Sequence, residues 1–174
     1  MLDKTQQKIY KDLQIPYDYA EKRGLLFYPD ATDLVNVGPN IFGLSQYLSR
    51  KTALAWEKMV LASSNDDVSL MIISGFRSFE YQASLIAKKL KKGSSIKQIL
   101  RVNAPPGYSQ HHAGIAIDIG TPDSRPLTEE FEKSTAFDWL VKNAKYFGFC
   151  MTYHRDNKYG FMFEPWHWAL KEKR

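Results

Sequence analysis

The sequence predicts an α+β fold, a central antiparallel sheet with helices packed outside it. Two observations carry that prediction. Helical and strand patterns are mixed along the 174 residues. Two expected strands, 149–153 and 161–170, also lie close enough in sequence to form a hairpin. The length suits one domain, 1–174, with residues 1–44 as a partly irregular N-terminal extension. At 44% apolar and 25% charged, the composition is that of an ordinary globular protein.

Residues 3–13 predict a short helix that ends before Pro16. Residues 24–44 are rich in Gly, Pro, Asn and Asp and read as irregular. A helix is expected from about Ser45, which can cap it, because Leu48, Thr52, Ala55, Trp56, Met59 and Val60 recur at helical spacing. The polar cluster Ser63 to Asp67 ends that helix. Val68 to Ile73 is a short apolar, β-branched run and reads as a buried strand, followed by a turn at 74–78. Ser78 caps a helix to about Leu90, and Ser95 with Gln98 forms a capping box for a second, shorter one. Residues 103–107, with Pro105 and Pro106, form a loop. Thr135 and Asp138 read as another capping box; Phe137, Leu140, Val141, Ala144 and Phe147 line one face of its helix, and Gly148 stops it. A strand at 149–153, a turn at 154–159 and a last strand within 160–170 complete the chain.

The net charge of +5 is concentrated in Lys88, Lys89, Lys91 and Lys92, with Lys97 and Arg101 nearby. That stretch reads either as a solvated helix face or as a patch for an anionic polymer. Nucleic acid is not indicated, since the stretch has no interleaved aromatics and no binding motif. No apolar run approaches the roughly 18 residues of a membrane span. The first thirty residues show no apolar signal-peptide core. Cys150 is the single cysteine, which excludes an internal disulfide, and its apolar neighbours make it a buried structural thiol. Nothing in the sequence speaks to oligomeric state.

The chemistry concentrates in two stretches, Ser109 to Asp118 and Glu164 to His167. They hold three of the four histidines and two carboxylates. One His and one Asp from the first, with the His of the second, make a three-ligand set for zinc, leaving a fourth position open to water. Glu164 is then free to act as a general base. After His112 the residues alternate: Ile115, Ile117 and Ile119 share one parity, Gly114, Ala116 and Asp118 the other. That describes a strand with its apolar face on the core and room for an ion and a substrate on the other. Parity would put His112 on the face of Asp118, but nothing forces His111 onto the strand, so spacing leaves the choice of histidine open. Pro165 restricts Glu164 to extended geometry just ahead of the last strand.

Three stretches together resemble a known family. Ser109, His111, Gly114, Ala116 and Asp118 match Ser-x-His-x-x-Gly-x-Ala-x-Asp; residues 164–168 match Glu-Pro-Trp-His-Trp; Ser74 to Ser78, followed by Gln82, match Ser-Gly-Phe-Arg-Ser with its Gln. These resemble the signatures of the VanY-like zinc D-alanyl-D-alanine carboxypeptidases, which share a fold with lysostaphin-type and hedgehog-type metallopeptidases. The resemblance implies a hedgehog/DD-peptidase-like sheet with zinc on its face. It implies His111, Asp118 and His167 as zinc ligands and Glu164 as base. It assigns Arg77 to substrate binding and to charge on the scissile carbonyl oxygen, with Gln82 and Ser109 near the substrate. His112 and His154 match no ligand position. Trp168 is expected in the core and Trp166 at the core or along the cleft. The implied substrate is a peptidoglycan stem peptide, which would place the protein at the periplasm or cell wall. L,D-carboxypeptidase and endopeptidase activities fit the same signatures. A non-catalytic zinc module fits less well, because the base is retained.

Overall fold

The computed structural model describes residues 2–171. Helix α1, Lys4–Asp12, opens on a capping box in which Asp3 and Gln6 each satisfy the other's backbone N–H. A single turn, α2 (Tyr19–Lys22), follows. Strands β1 (Leu34–Pro39) and β2 (Ser45–Ser49) then pair antiparallel. Residues 24–33 are irregular as expected, and this hairpin corrects the remainder of the expected irregular 24–44 and the helix start at Ser45. Asn40 makes the difference: its side-chain oxygen accepts from the amides of Phe42 and Leu44 and closes the turn, so Ser45 to Ser49 run extended. The helix begins instead at α3, Arg50–Asn65, capped by Ser49.

The main sheet has four strands, all antiparallel, in the order β3 (Met71–Ser74), β4 (Ala116–Gly120), β6 (His167–Leu170), β5 (Phe149–Met151). Between these strands come α4 (Phe79–Lys91), α5 (Ile96–Ile99) and α6 (Thr135–Asn143). The caps of α4 and α5 are those the sequence indicated, Ser78 and the Ser95–Gln98 box. At α6 the cap is Ser134 rather than Thr135: its hydroxyl accepts from the amide of Phe137 after a 3₁₀ turn at Glu129–Lys133. A second 3₁₀ turn, Ala144–Phe147, carries the chain to Gly148, whose φ of +84° ends it. The strands are shorter than expected. β3 starts at Met71 because Asp67, at φ +56°, and the bond from Val68 N to Ser63 O spend the preceding residues on closing α3.

Ile115, Ile117 and Ile119 of the β4 segment enter the main core with Leu48, Trp56, Met59 and Trp168. A second apolar cluster joins Tyr10, Leu13 and Ile15 to Phe79, Ile86, Ile99 and Leu100, so α1 packs on α4 and α5. The N-terminal residues also grip the loop that leads to β4. Tyr10 Oη donates to Pro106 O, Tyr19 Oη to Leu100 O, Tyr28 N to Gly107 O and Ala31 N to His112 O. Cys150 is half-buried, and burial pushes its thiol up.

Gly114, at φ +63°, is the tightest point of that loop. A Cβ there would lie 2.6 Å from the backbone nitrogen of Ser49, which itself donates to Gly114 O. Gly114→Ala is expected to cost roughly 2–3 kcal/mol, from the left-handed backbone and the contact with backbone atoms. Thermal and urea denaturation of the two proteins would measure it.

Candidate metal and catalytic site

His111, Asp118 and His167 converge. Their donor atoms all lie within 4.8 Å of one another, and all three residues are buried. β4 and β6 supply two of them directly, because Asp118 and His167 are register partners. His111 sits outside the strand, on a turn where Ser109 accepts from the amides of both His111 and His112. Strand parity therefore does not apply to either histidine.

The proton positions follow from the partners. His111 Nδ1 donates to Gly75 O at 2.6 Å, which leaves Nε2 as a bare lone pair, buried, without a hydrogen bond and 3.3 Å from Asp118 Oδ1. His167 Nε2 lies 3.0 Å from Gln110 Oε1, and with its proton there the ring turns the Nδ1 lone pair to Asp118 Oδ1, at 3.1 Å. Burial and the nearby Arg77 guanidinium lower His111 to about 4, keeping it neutral. Burial alone would raise Asp118, but the Arg77 guanidinium opposes it and the carboxylate is held well below its usual range. Two imidazole lone pairs and a carboxylate oxygen thus face one another with no proton between them. Such a set repels itself unless a cation lies among its members. Two nitrogens and an oxygen suit zinc, and the residues present fit it.

Asp118 divides its two oxygens. Oδ1 faces the histidines, while Oδ2 accepts from Arg77 Nη2 at 3.3 Å. Arg77 Nε is buried and unpartnered. Glu164 is held by backbone bonds, its N–H to Tyr153 O and its carbonyl from His167 N–H. The residue lies three positions ahead of β6, and its side chain lines the same cavity of about 280 Å³ as the triad, Arg77, Gln82 and Ser109. Burial, then the charge of Asp118, pushes its carboxyl up to about 8, while Arg77 and Lys89 pull the other way.

Gln82 is buried; its Nε2 donates to Ala104 O and its carbonyl oxygen has no partner. Trp166 lines the cavity, whereas Trp168 is in the core with Nε1 donating to Pro165 O. His112 faces away from the triad. Its Nε2 accepts from Gly107 N at 3.0 Å and its Nδ1 donates to Arg77 O at 2.5 Å, so it staples the turn to the segment bearing Arg77. His154 is exposed and bonds its neighbour's carbonyl. Sequence reasoning missed Gln110, which fixes the ring of His167. It sits beside His111, but its partner is 57 residues away, and neither spacing nor periodicity marks it.

A donor triad of two imidazoles and a carboxylate on an antiparallel sheet, with a carboxyl and a guanidinium on the same cavity, is the residue set of a mononuclear zinc hydrolase. Comparison then fixes the family. The chain belongs to the VanY family, "D-alanyl-D-alanine carboxypeptidase", whose model matches residues 45–171. It is 29% identical over 126 residues to the bifunctional D-Ala-D-Ala dipeptidase and D-Ala-D-Ala carboxypeptidase VanXYC of Enterococcus gallinarum, covering 70% of this chain and 65% of that one. The LdcB LD-carboxypeptidase superposes with a TM-score of 0.73 at 25% identity, over 81% of this chain and 69% of that one. VanYB, solved with D-alanine-D-alanine, gives 0.62 at 25% identity, over 83% and 81%. The chain spans between 41% and 65% of the length of the curated relatives it matches.

The two adjacent histidines are expected to separate on substitution. His111→Ala should lose the bound zinc. His112→Ala should keep about one zinc per chain but lose roughly 1–3 kcal/mol of stability, because it leaves a buried amide and a carbonyl unpaired. Elemental analysis and thermal denaturation of the two variants read the two effects independently.

Proposed function

We propose that this protein is a zinc-dependent carboxypeptidase that removes the terminal D-alanine from peptidoglycan stem peptides. The carrying observation is the lone-pair convergence of His111, Asp118 and His167 beside a buried Glu164 and Arg77. Membership of the VanY family supports the substrate class, and relatives that are D-Ala-D-Ala carboxypeptidases support the D-alanyl-D-alanine specificity. We read residues 1–174 as one domain, since α1 shares its apolar cluster with α4 and α5. No helix among the described residues is long and apolar enough to cross a membrane. The substrate implies a periplasmic or cell-wall site of action.

His111 Nε2, Asp118 Oδ1 and His167 Nδ1 would hold the ion. A bound zinc supplies a Lewis acid that lowers the pKa of water and polarises a carbonyl. Glu164 accepts the proton of the attacking water and hands it to the leaving amine of D-alanine. Burial beside Asp118 raises its proton affinity, and next to the positive charge of a bound zinc it would return toward the ionised form that accepts a proton. Arg77, anchored on Asp118 Oδ2, points a guanidinium with an unused Nε–H at the cavity and stabilises the oxyanion. The free carbonyl oxygen of Gln82 accepts a substrate N–H, and the hydroxyl of Ser109 donates to the peptide. A second reading, L,D-carboxypeptidase, draws on the better superposition with the LD-carboxypeptidase, 0.73 against 0.62.

Digestion of defined muropeptides, read by mass spectrometry, decides between them. Free D-alanine from a pentapeptide stem is the expected product. Alanine released from a tetrapeptide would give the L,D reading, and cleavage within a cross-link would overturn both.

Glu164→Gln separates base from ligands. Zinc content should stay near wild type, while turnover falls by roughly 10²–10⁴-fold, mainly in kcat. Parallel loss of zinc and activity would make Glu164 a ligand.

A further inference from the structure

The basic stretch at the end of α4 does not form one solvated face. Lys88, Lys91, Lys92, Lys97 and Arg101 are exposed, but Lys89 is half-buried and turned inward. Helical spacing explains the difference. Lys89 lies seven residues after Gln82 and three after Ile86, both buried, so it continues the inner face of the helix. Gln82 and Lys89 line the same cavity as the triad, Arg77 and Glu164. They are two turns apart, about 10 Å along the axis.

The head group of Lys89 has an unusual partner for a cation inside a cleft. Nζ donates to Asn103 Oδ1 at 2.5 Å, and Asn103 lines the cavity too. Asn103 is neutral, and among the described residues Lys89 takes part in none of the ion pairs. An ammonium has three N–H donors, and the amide uses one. Burial lowers its pKa, with the charge of Glu164 opposing and that of Arg77 adding to it. A desolvated ammonium with donors to spare and no ion-paired carboxylate is a site for an anion. In a cleft that takes the end of a peptide, that anion is a terminal carboxylate.

We propose that Lys89, held in place by Asn103, binds the C-terminal carboxylate of the substrate and makes this site recognise chain ends. The proposal rests on the peptidase reading above. It explains why one lysine of the cluster is drawn inside while its neighbours stay in water.

Two substrates and one substitution test it. An N-acylated peptide ending in D-alanyl-D-alanine is compared with the same peptide ending in a carboxamide, using the zinc-loaded protein. Wild type should prefer the free acid. Lys89→Met should cut kcat/KM for the free acid by roughly 10- to 100-fold, through KM, and leave the amide unchanged, with partial rescue by Lys89→Arg. An equal fall for both peptides, carried by kcat, would mean that Lys89 acts on Glu164 instead and would overturn the proposal. An unchanged KM for the free acid would do the same.

Calorimetric binding of both peptides, in a Glu164→Gln background with and without Lys89→Met, gives a readout free of turnover. Weaker binding of the acid alone supports the carboxylate subsite. Equal binding of both peptides before and after the change rejects it. If wild type cleaves neither peptide, the peptidase reading fails, and the binding comparison still decides whether Lys89 holds a carboxylate.

Discussion

Asp118 is the constraint around which the rest is arranged. A buried carboxylate has to be compensated, and here Arg77 supplies part of the compensation and a cation among the ligands would supply the rest. Arg77 reaches one oxygen from the segment after β3, while His111 and His167 face the other from the preceding turn and from β6. The β4 backbone that carries it is locked on both sides, since Asp118 pairs with Ser74 and with His167. Burial magnifies every one of these interactions, because charges in a poorly solvated place are felt at greater strength. The same burial raises Glu164 and keeps His111 neutral. The charge of Asp118 adds to that effect at Glu164 and opposes it at His111.

The arrangement has an energetic cost. Three lone pairs facing one another without a proton, an unpartnered guanidinium N–H and an unpartnered amide oxygen are all unfavourable inside a protein. They cluster at a single cavity, while the helix ends elsewhere are capped by Asp3, Ser49, Ser78, Ser95 and Ser134. Among the described residues the other buried side-chain atoms without a partner are Arg23 Nη1 and Thr152 Oγ1, so the unmet polar groups concentrate at this cavity, which is the pattern expected of a functional site.

The sequence showed much of this and concealed some of it for identifiable reasons. The apolar alternation of Ile115, Ile117 and Ile119 marked β4, and Pro165 placed Glu164 ahead of β6. The β1–β2 hairpin was hidden because Leu48 and Thr52 continue a helical period across the boundary at Ser49. What stops the helix is a side-chain bond from Asn40, which periodicity does not register. The choice between His111 and His112 was unreadable from parity because both lie on a turn. His112 looked like a possible ligand and is occupied with other bonds on both ring nitrogens. Gln110 and Asn103 were invisible because their importance comes from partners brought near by folding.

The grip of the N-terminal residues on the loop before β4 has a consequence of another kind. The family match begins at Ser45, yet Tyr10, Tyr19, Tyr28 and Ala31 tie down residues 100 to 112. The loop that presents His111 is therefore splinted by residues that precede the family match. Substitutions in the splint would shift the height and stiffness of the histidine turn while every donor atom stays in place. Lineages can retune such a centre from its scaffold, and comparisons confined to the shared motifs would not see the change.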